Sequence, residues 1–503
     1  MKRIIVCSDG TGNTAIKGRG TNVFKLFEAI DLNGHRKNPK LDAQVAIYDD
    51  GVGTENLTLL KLIGGAFGWG LSHNVKQLYK ELVRIYDPGD EIYVFGFSRG
   101  AFTVRTLVGF IGTCGLVDRN NKQNSTFAGL NKSVNDAYKA YRKCYRPWLW
   151  RMFGQPSNDA GRTFKEANSI KADVRIKFIG VWDTVDAVGV PFRIADIWNA
   201  AVYQFKFSDH DLSEIVDRAC HALSIDEDRL SFSPVLWNEG DGETRITQVW
   251  FAGVHSNIGG GYPKQGMSLV ALDWMLTQAA CRDGLRINPI EREYFEDHAN
   301  VDDKLYEPRT GIGIFYRWKI RDIKALCCAH QVKPKIHLTA IERIAHGTDN
   351  YAPGNIPNNA NVVFTEPACK DSDLLRRRAE GVEKLVRETP NVSLLRSVEG
   401  PMLVGSLSYV VFILSCLGTL LAAAGTAFDF FKITSMPWLH STASLGVLVI
   451  GFLLSLGLVL AADCEMNRVF SSFWYQKQPD LRKALQNAKA EAATARSRPS
   501  LAS

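Results

Sequence analysis

Short apolar runs alternate with segments of helical period over about the first 370 residues. RIIVCSD, AQVAIYDD, DEIYVFGF, VRIKFIGVWD, TQVWFAGVH and KIHLTAI are β-rich, and several stop at a polar or glycine-rich loop, so each is predicted to be a strand. Between them, HNVKQLYKELVRIYD, NDAYKAYRKCY and SLVALDWMLTQAA carry apolar residues at helical spacing. Strand, helix, strand order predicts the α/β class, a mostly parallel sheet with helices on both faces. Ligands of such sheets gather at the carboxyl ends of the strands, so functional groups are expected there.

From Asp371 the pattern changes. LLRRRAEGVEKLVRE reads as a charged helical connector within 371–400, and no charged residue occurs from Pro401 to Phe428. The stretch from Ile433 to Ala462 is also uncharged unless His440 is protonated. About 20 apolar residues at 1.5 Å each cross a hydrocarbon core, so two transmembrane helices are predicted within 401–465. The first is Leu403 to Phe428 and the second about Ala443 to Ala462, with Gly418, Gly425, Gly446, Gly451 and Gly457 small enough for close packing. Arg387, Arg396, Arg468, Lys477, Arg482 and Lys483 flank the pair, which by the positive-inside rule places both ends and the large N-terminal region in the cytoplasm. Residues 466–503 read as a polar tail, a short helix that frays. Four parts are thus expected: an α/β domain over 1–370, the connector, the hairpin and the tail.

The chain has 503 residues, 46% hydrophobic, 22% charged and 10% aromatic, which excludes collagen-like, disordered and disulfide-stapled classes. Its net charge of +7 is too mild over this length to argue for nucleic acid, and none is expected as a partner. The ten cysteines are scattered without a CxxC pair, which fits neither a zinc site nor a disulfide framework and implies a reducing compartment. MKRIIVCSDG offers too short an apolar run for a secretory signal and reads as a buried strand.

EIYVFGFSRGAFTVRTLVGFIG holds G-x-S-x-G as Gly96, Phe97, Ser98, Arg99 and Gly100. Apolar residues precede it and a helix is predicted to follow, which is the strand, tight turn, helix arrangement of a nucleophile elbow. The plain alternative is a Gly-Ser turn joining strand to helix. A serine hydroxyl needs a base to take its proton and an acid to orient that base. With this elbow the partners follow in the order Ser, Asp or Glu, His. Asp183 ends VRIKFIGVWD and His255 ends ITQVWFAGVH, just before the glycine-rich SNIGGGY turn, so the carboxyl ends of strands supply the acid and the base. Asp186 is the competing acid and His337 the competing base; the other histidines are expected to be satisfied surface or core residues.

The oxyanion hole is expected from backbone N–H groups, one of Arg99 and a second of Gly10 or Thr11 in the SDGTGN loop. That loop lacks a phosphate-cradle signature, and Asp9 is expected to fix it by hydrogen bonding. No H-E-x-x-H spacing occurs, so neither a catalytic metal nor another cofactor is predicted. YRPWLWRMFG interleaves aromatic residues with arginines, as at a lipid interface, and makes Trp148, Trp150 and Phe153 candidates to face membrane or substrate. GGAFGWGLS adds Phe67 and Trp69 as candidate lining of an acyl pocket.

IIVCSDGTGNT, YDDGVGT, GFSRGA, FIGVWDTVDAVG and GVH-S-x-x-GGGY, spread over residues 3 to 262, together resemble an α/β-hydrolase family once catalogued as a domain of unknown function. Its bacterial members include phospholipase effectors of type VI secretion systems. The resemblance implies Ser98 as nucleophile, Asp183 of WDTV as acid and His255 of GVHS as base. It also implies hydrolysis of glycerophospholipid acyl esters, and secretion-system components, a chaperone or an immunity protein as partners. The chain departs from the family at Asn257, where Asp is frequent, and at Asp50, where Pro is. The function expected is a membrane-anchored, cytoplasm-facing serine esterase of phospholipase A type, acting on its own membrane or delivered into a target cell. The rivals are a hydrolase of small esters or thioesters and a non-catalytic, membrane-tethered hydrolase-fold binding module.

Overall fold

The first strand shows how the sheet is built. In β1 (Lys2–Ser8) successive side chains point to opposite faces, so Ile4 and Val6 enter one hydrophobic core while Ile5 and Cys7 enter another. A strand buried on both faces reads as a near-continuous apolar run, which is why IIVC carries no polar alternation. The computed structural model describes residues 1–10, 20–51, 66–144, 159–185, 210–240, 242–308, 319–365, 372–387, 394–430 and 442–497. Among them β1 is joined by β2 (Ala43–Asp49), β3 (Glu91–Phe97), β4 (Ile176–Trp182), β5 (Ala219–Ser224), β6 (Ile246–Phe251), β7 (Lys335–His337) and β8 (Asn361–Val363). They form one sheet in the order β2-β1-β3-β4-β5-β6-β7-β8, with every pair parallel. The α/β class is therefore observed.

The helices that bear on the site are α1 (Asn22–Ala29), α2 (Ala66–Ile85), α3 (Arg99–Cys114), α4 (Phe127–Cys144), α5 (His255–Gly259), α6 (Gly266–Thr277), α7 (Leu338–His346), α8 (Ser372–Arg387), α9 (Glu399–Phe430) and α10 (Thr442–Ser497). α2, α3 and α4 cover one face through residues such as Leu78, Leu107 and Val134, and α1 and α6 cover the other through Leu26 and Leu272. Each such buried side chain stabilises the fold by about 1.5–3 kcal/mol of transfer free energy.

Three expectations need correcting. KIHLTAI is not one strand: β7 ends at His337, and Leu338 opens α7, whose apolar residues Leu338, Ile341, Ile344 and Ala345 face the core. The strands β5 and β8 do not appear among the predicted runs. ACHALS is short and mixes polar with small residues, yet all six positions are buried between β4 and β6. Nor does His255 end a strand: β6 stops at Phe251, and His255 is the first residue of α5.

The C-terminal third packs back onto the sheet. α8 buries Ala379, Val382 and Val386 in the core around β7 and α7, and its Glu383 accepts the backbone N–H of Val362 in β8 at 2.8 Å. α9 and α10 pair antiparallel, with the Phe412 and Phe452 rings 5.4 Å apart and Gly418 beside Leu448. Both are long and apolar enough to cross a membrane, and Leu403, Leu407, Leu414, Val447, Leu454 and Leu460 are exposed along them. Beyond that stretch α10 continues without a break into residues expected as a tail. There Trp474, Leu481 and Leu485 join the same core as α7 and α8, and the indole N–H of Trp474 donates to Pro353 O at 2.7 Å.

Candidate active site

β3 delivers Ser98 into a backbone conformation that few residues adopt, with φ 58° and ψ −122°. Its N–H makes the last hydrogen bond of the β3–β4 ladder, donating to Trp182 O at 3.1 Å, and α3 begins at the next residue. Such strain costs on the order of 1–3 kcal/mol and persists only where packing over-determines it. The two motif glycines supply that packing. A Cβ on Gly96 would lie 2.7 Å from Ala101 Cα, and one on Gly100 would collide with the carbonyl oxygens of Ser8 and Asp9. Strand β3, helix α3 and the end of β1 thus close on one another at a distance that only glycine permits.

Ser98, Asp183 and His255 are 7%, 0% and 4% exposed, and they meet above the carboxyl ends of β3, β4 and β6. β5 separates β4 from β6 by two strand spacings, about 9–10 Å. α5 carries His255 back across β5 to close that gap. His255 Nε2 lies 2.7 Å from Ser98 Oγ, and His255 Nδ1 lies 2.6 Å from Asp183 Oδ2. With Asp183 ionised, Nδ1 carries the proton and donates to the carboxylate, which leaves Nε2 to accept from the serine hydroxyl. The Phe97 and Phe232 rings, centred 4.7 and 4.9 Å from the imidazole, hold it in place. Like Ser98, Asp183 has a positive φ, 35°, immediately after its strand.

Burial would push the Asp183 carboxyl up. The opposing charge of Arg321 and hydrogen bonds from His255 and Arg321 outweigh it and hold the group well below the usual carboxylate range. Burial lowers the basicity of His255 below the ordinary histidine value, against the pull of Asp183. The imidazole is therefore neutral near pH 7, the form that can accept a proton.

Several polar residues that the sequence did not single out complete the surroundings. Arg321 donates to both oxygens of Asp183, at 2.7 and 2.9 Å, and the N–H of Ser224, the last residue of β5, donates to Asp183 Oδ1 at 3.1 Å. Glu227 accepts the backbone N–H of His255 at 3.2 Å and is paired with Arg229 at 2.6 Å. His221 Nε2 accepts the Thr184 N–H at 3.1 Å, which fixes the backbone just after Asp183. No local pattern marks these residues; polar character inside the buried strand β5 is the one signal present in the chain.

The remaining candidates fall as follows. Arg99 opens α3, so its backbone N–H stands at the positive end of the helix. The Gly10 N–H donates to the Asp9 carboxylate at 2.6 Å, and Asp9 also accepts from Thr21 at 2.5 Å and Tyr48 at 2.7 Å. Asp9 thereby ties together the start of α1, β2 and its own loop, and burial pushes its carboxyl up to about 6. Thr11, Trp148, Trp150, Phe153 and the competing acid Asp186 lie outside the described residues, as do the side chains of Phe67 and Trp69 at the start of α2. His337, the competing base, is bonded to Thr339 and Thr365 and stacked on Phe251, away from the serine. Among the described residues no cluster of histidine, cysteine or acidic side chains is arranged to hold a metal ion.

A family model described as the catalytic domain of Tle1-like type VI secretion (T6SS) phospholipase effectors matches residues 2–278, more than half of the chain. An uncharacterized protein of Saccharomyces cerevisiae, YEL023C, is 29% identical over 254 residues, covering 47% of this chain and 33% of that protein. The chain therefore aligns with about a third of the yeast relative's length. A crystal structure of an uncharacterized protein from Pseudomonas aeruginosa covers 77% of this chain and 59% of its own, at 18% identity and a TM-score of 0.36. A structure of the Tle1 effector bound to the VgrG spike of the type 6 secretion system covers 52% of this chain and 51% of that one, at 17% identity and a TM-score of 0.31.

Proposed function

The chain belongs to the Tle1-like family of type VI secretion phospholipase effector catalytic domains, and from that premise we propose that it is a membrane-anchored serine esterase cleaving acyl esters of glycerophospholipids. The observation that carries the mechanism is the continuous run of hydrogen bonds from Ser98 Oγ through His255 to Asp183, at 2.7 and 2.6 Å. His255 Nε2 takes the Ser98 proton as Oγ attacks the ester carbonyl, and Asp183 stabilises the imidazolium that forms. The N–H of Arg99, at the positive end of α3, receives the developing oxyanion, whereas the Gly10 N–H, the other candidate donor, is taken up by Asp9. The imidazolium then returns its proton to the departing lysophospholipid oxygen, which leaves an acyl-serine. Water, deprotonated by the same histidine, attacks this ester, and the imidazolium returns that proton to Ser98 Oγ as the fatty acid is released.

The α9–α10 hairpin holds the domain at a bilayer, with the basic residues that flank it on the cytoplasmic side. Family membership adds delivery by a type VI secretion system into a target cell, with secretion components, a chaperone or an immunity protein as partners.

Ser98→Ala is expected to abolish fatty-acid release from phospholipid vesicles, by at least about 10⁴-fold, while leaving the melting temperature within a few degrees. Undiminished release by that variant overturns the mechanism. Hydrolysis confined to soluble short-chain esters would move the substrate class to small esters, and failure of a serine-directed fluorophosphonate to label the wild type would favour a binding module.

A further inference from the structure

Arg321 holds the same Asp183 carboxylate that accepts from the histidine. It is 6% exposed and lies beyond residues 2–278, the part of the chain that the family model matches. Its guanidinium meets the carboxylate fork to fork, Nη1 to Oδ1 at 2.7 Å and Nη2 to Oδ2 at 2.9 Å. Nη1 also donates to Ser224 O at 2.8 Å and Ser224 Oγ at 2.7 Å, and Nη2 to Phe232 O at 2.5 Å. Asn355 fixes the arginine's own backbone by donating to Arg321 O at 3.0 Å and Ile225 O at 2.8 Å. Oδ2 of Asp183 is therefore shared, with Arg321 on one side and His255 Nδ1 at 2.6 Å on the other.

We infer that Arg321 is a positioning residue for the esterase reaction, setting both the orientation of Asp183 and the charge that His255 feels. This rests on the triad proposed above. A planar guanidinium bonded to both oxygens fixes the carboxylate plane, and that plane decides whether Oδ2 points along the imidazole N–H. The electrostatic effect is separate. Asp183 alone would present a full buried negative charge to the imidazole and stabilise its protonated form strongly; a guanidinium on the same carboxylate cancels much of that field. The base is thereby kept neutral at lower pH. Among the described residues, the other charged groups acting on His255 are Glu227 and Arg229, and both remain when Arg321 is changed.

The two effects separate in two variants of the full chain in detergent. Arg321→Met removes fork and charge, whereas Arg321→Lys keeps the charge and loses the fork. For each, kcat and KM on a soluble ester and the fluorophosphonate labelling rate are measured against pH, alongside the melting temperature. Arg321→Met is expected to lose about a hundredfold in kcat with KM within about twofold, and the acid limb of labelling to move up by about one pH unit. Arg321→Lys is expected to lose about tenfold in kcat with the limb unmoved. It carries the test if the methionine variant does not fold. Wild-type kcat and limb in the variants that fold, or losses that track the melting temperature with the limb unmoved in both, overturn the inference while Ser98→Ala remains inactive. Activity retained by Ser98→Ala overturns the triad reading instead.

Discussion

At the scale of single residues, strain and burial meet in Ser98 and Asp183, and burial alone acts on His255. Ser98 and Asp183 both sit at positive φ, where a side chain is disfavoured, and each directly follows a buried strand. His255 is enclosed by the Phe97 and Phe232 rings, and its lowered basicity has a kinetic consequence. A base with a lowered pKa stays unprotonated to lower pH, so kcat/KM is expected to hold to below pH 6.5, the ordinary histidine value, before its acid limb sets in. A pH–rate profile on a soluble ester checks this, and a limb at or above pH 7 would contradict it. The serine, the acid and the base were legible because each lies at or near the end of an apolar run. Arg321 was not, since 138 residues separate it from Asp183 and an arginine in a chain reads as surface until its partner is known.

Among elements, the decisive contacts are between neighbours that are distant in sequence. The β1–β3–α3 junction leaves no room for a methyl group at Gly100, against the backbone of Ser8 and Asp9. Gly100→Ala is expected to destabilise the protein by about 1–3 kcal/mol and to lower fluorophosphonate labelling of Ser98 more than a surface Gly→Ala does. Denaturant unfolding and labelling of the same sample measure the two effects. β5 shows the opposite relation between sequence and structure. ACHALS has no strand pattern, yet it occupies the middle of the sheet because β4 and β6 pair with both of its edges. KIHLTAI is a related case: a short apolar run does not say whether it continues as strand or helix, and packing of Ile341 and Ile344 decides for helix after His337.

For the whole molecule, one helix connects the apolar hairpin to the catalytic domain. α10 passes from exposed leucines such as Leu454 and Leu460 to Met466, Phe470 and Trp474, which are buried against the domain. A cavity of about 190 Å³ at this junction is lined by Asp463, Met466 and Phe470 of α10 and by Glu227 and Arg321 beside the triad. The proposed anchor therefore fixes the site close to the apolar stretch rather than at the end of a free tether. With the full chain reconstituted in vesicles, labelled phospholipid in the same vesicles is expected to be cleaved at least about tenfold faster than the same lipid in separate ones, the gain of an effective local concentration. Equal rates would contradict that placement.

The sequence by itself determined what short-range physics encodes: the alternation that builds a parallel sheet, the glycine-flanked serine between strand and helix, and two apolar stretches of membrane length. Each is set by backbone period or by the size of adjacent side chains, so a window of about 20 residues contains the whole signal. Only the tertiary structure decided that a patternless hexapeptide completes the sheet and that a charged helix and polar tail bury Val382 and Trp474 in the domain. It alone placed Arg321 on the acid beside the histidine. Those outcomes depend on partners that no such window contains, the flanking strands for β5 and Asp183 for Arg321, where burial and charge compensation are properties of the assembled fold and not of any segment.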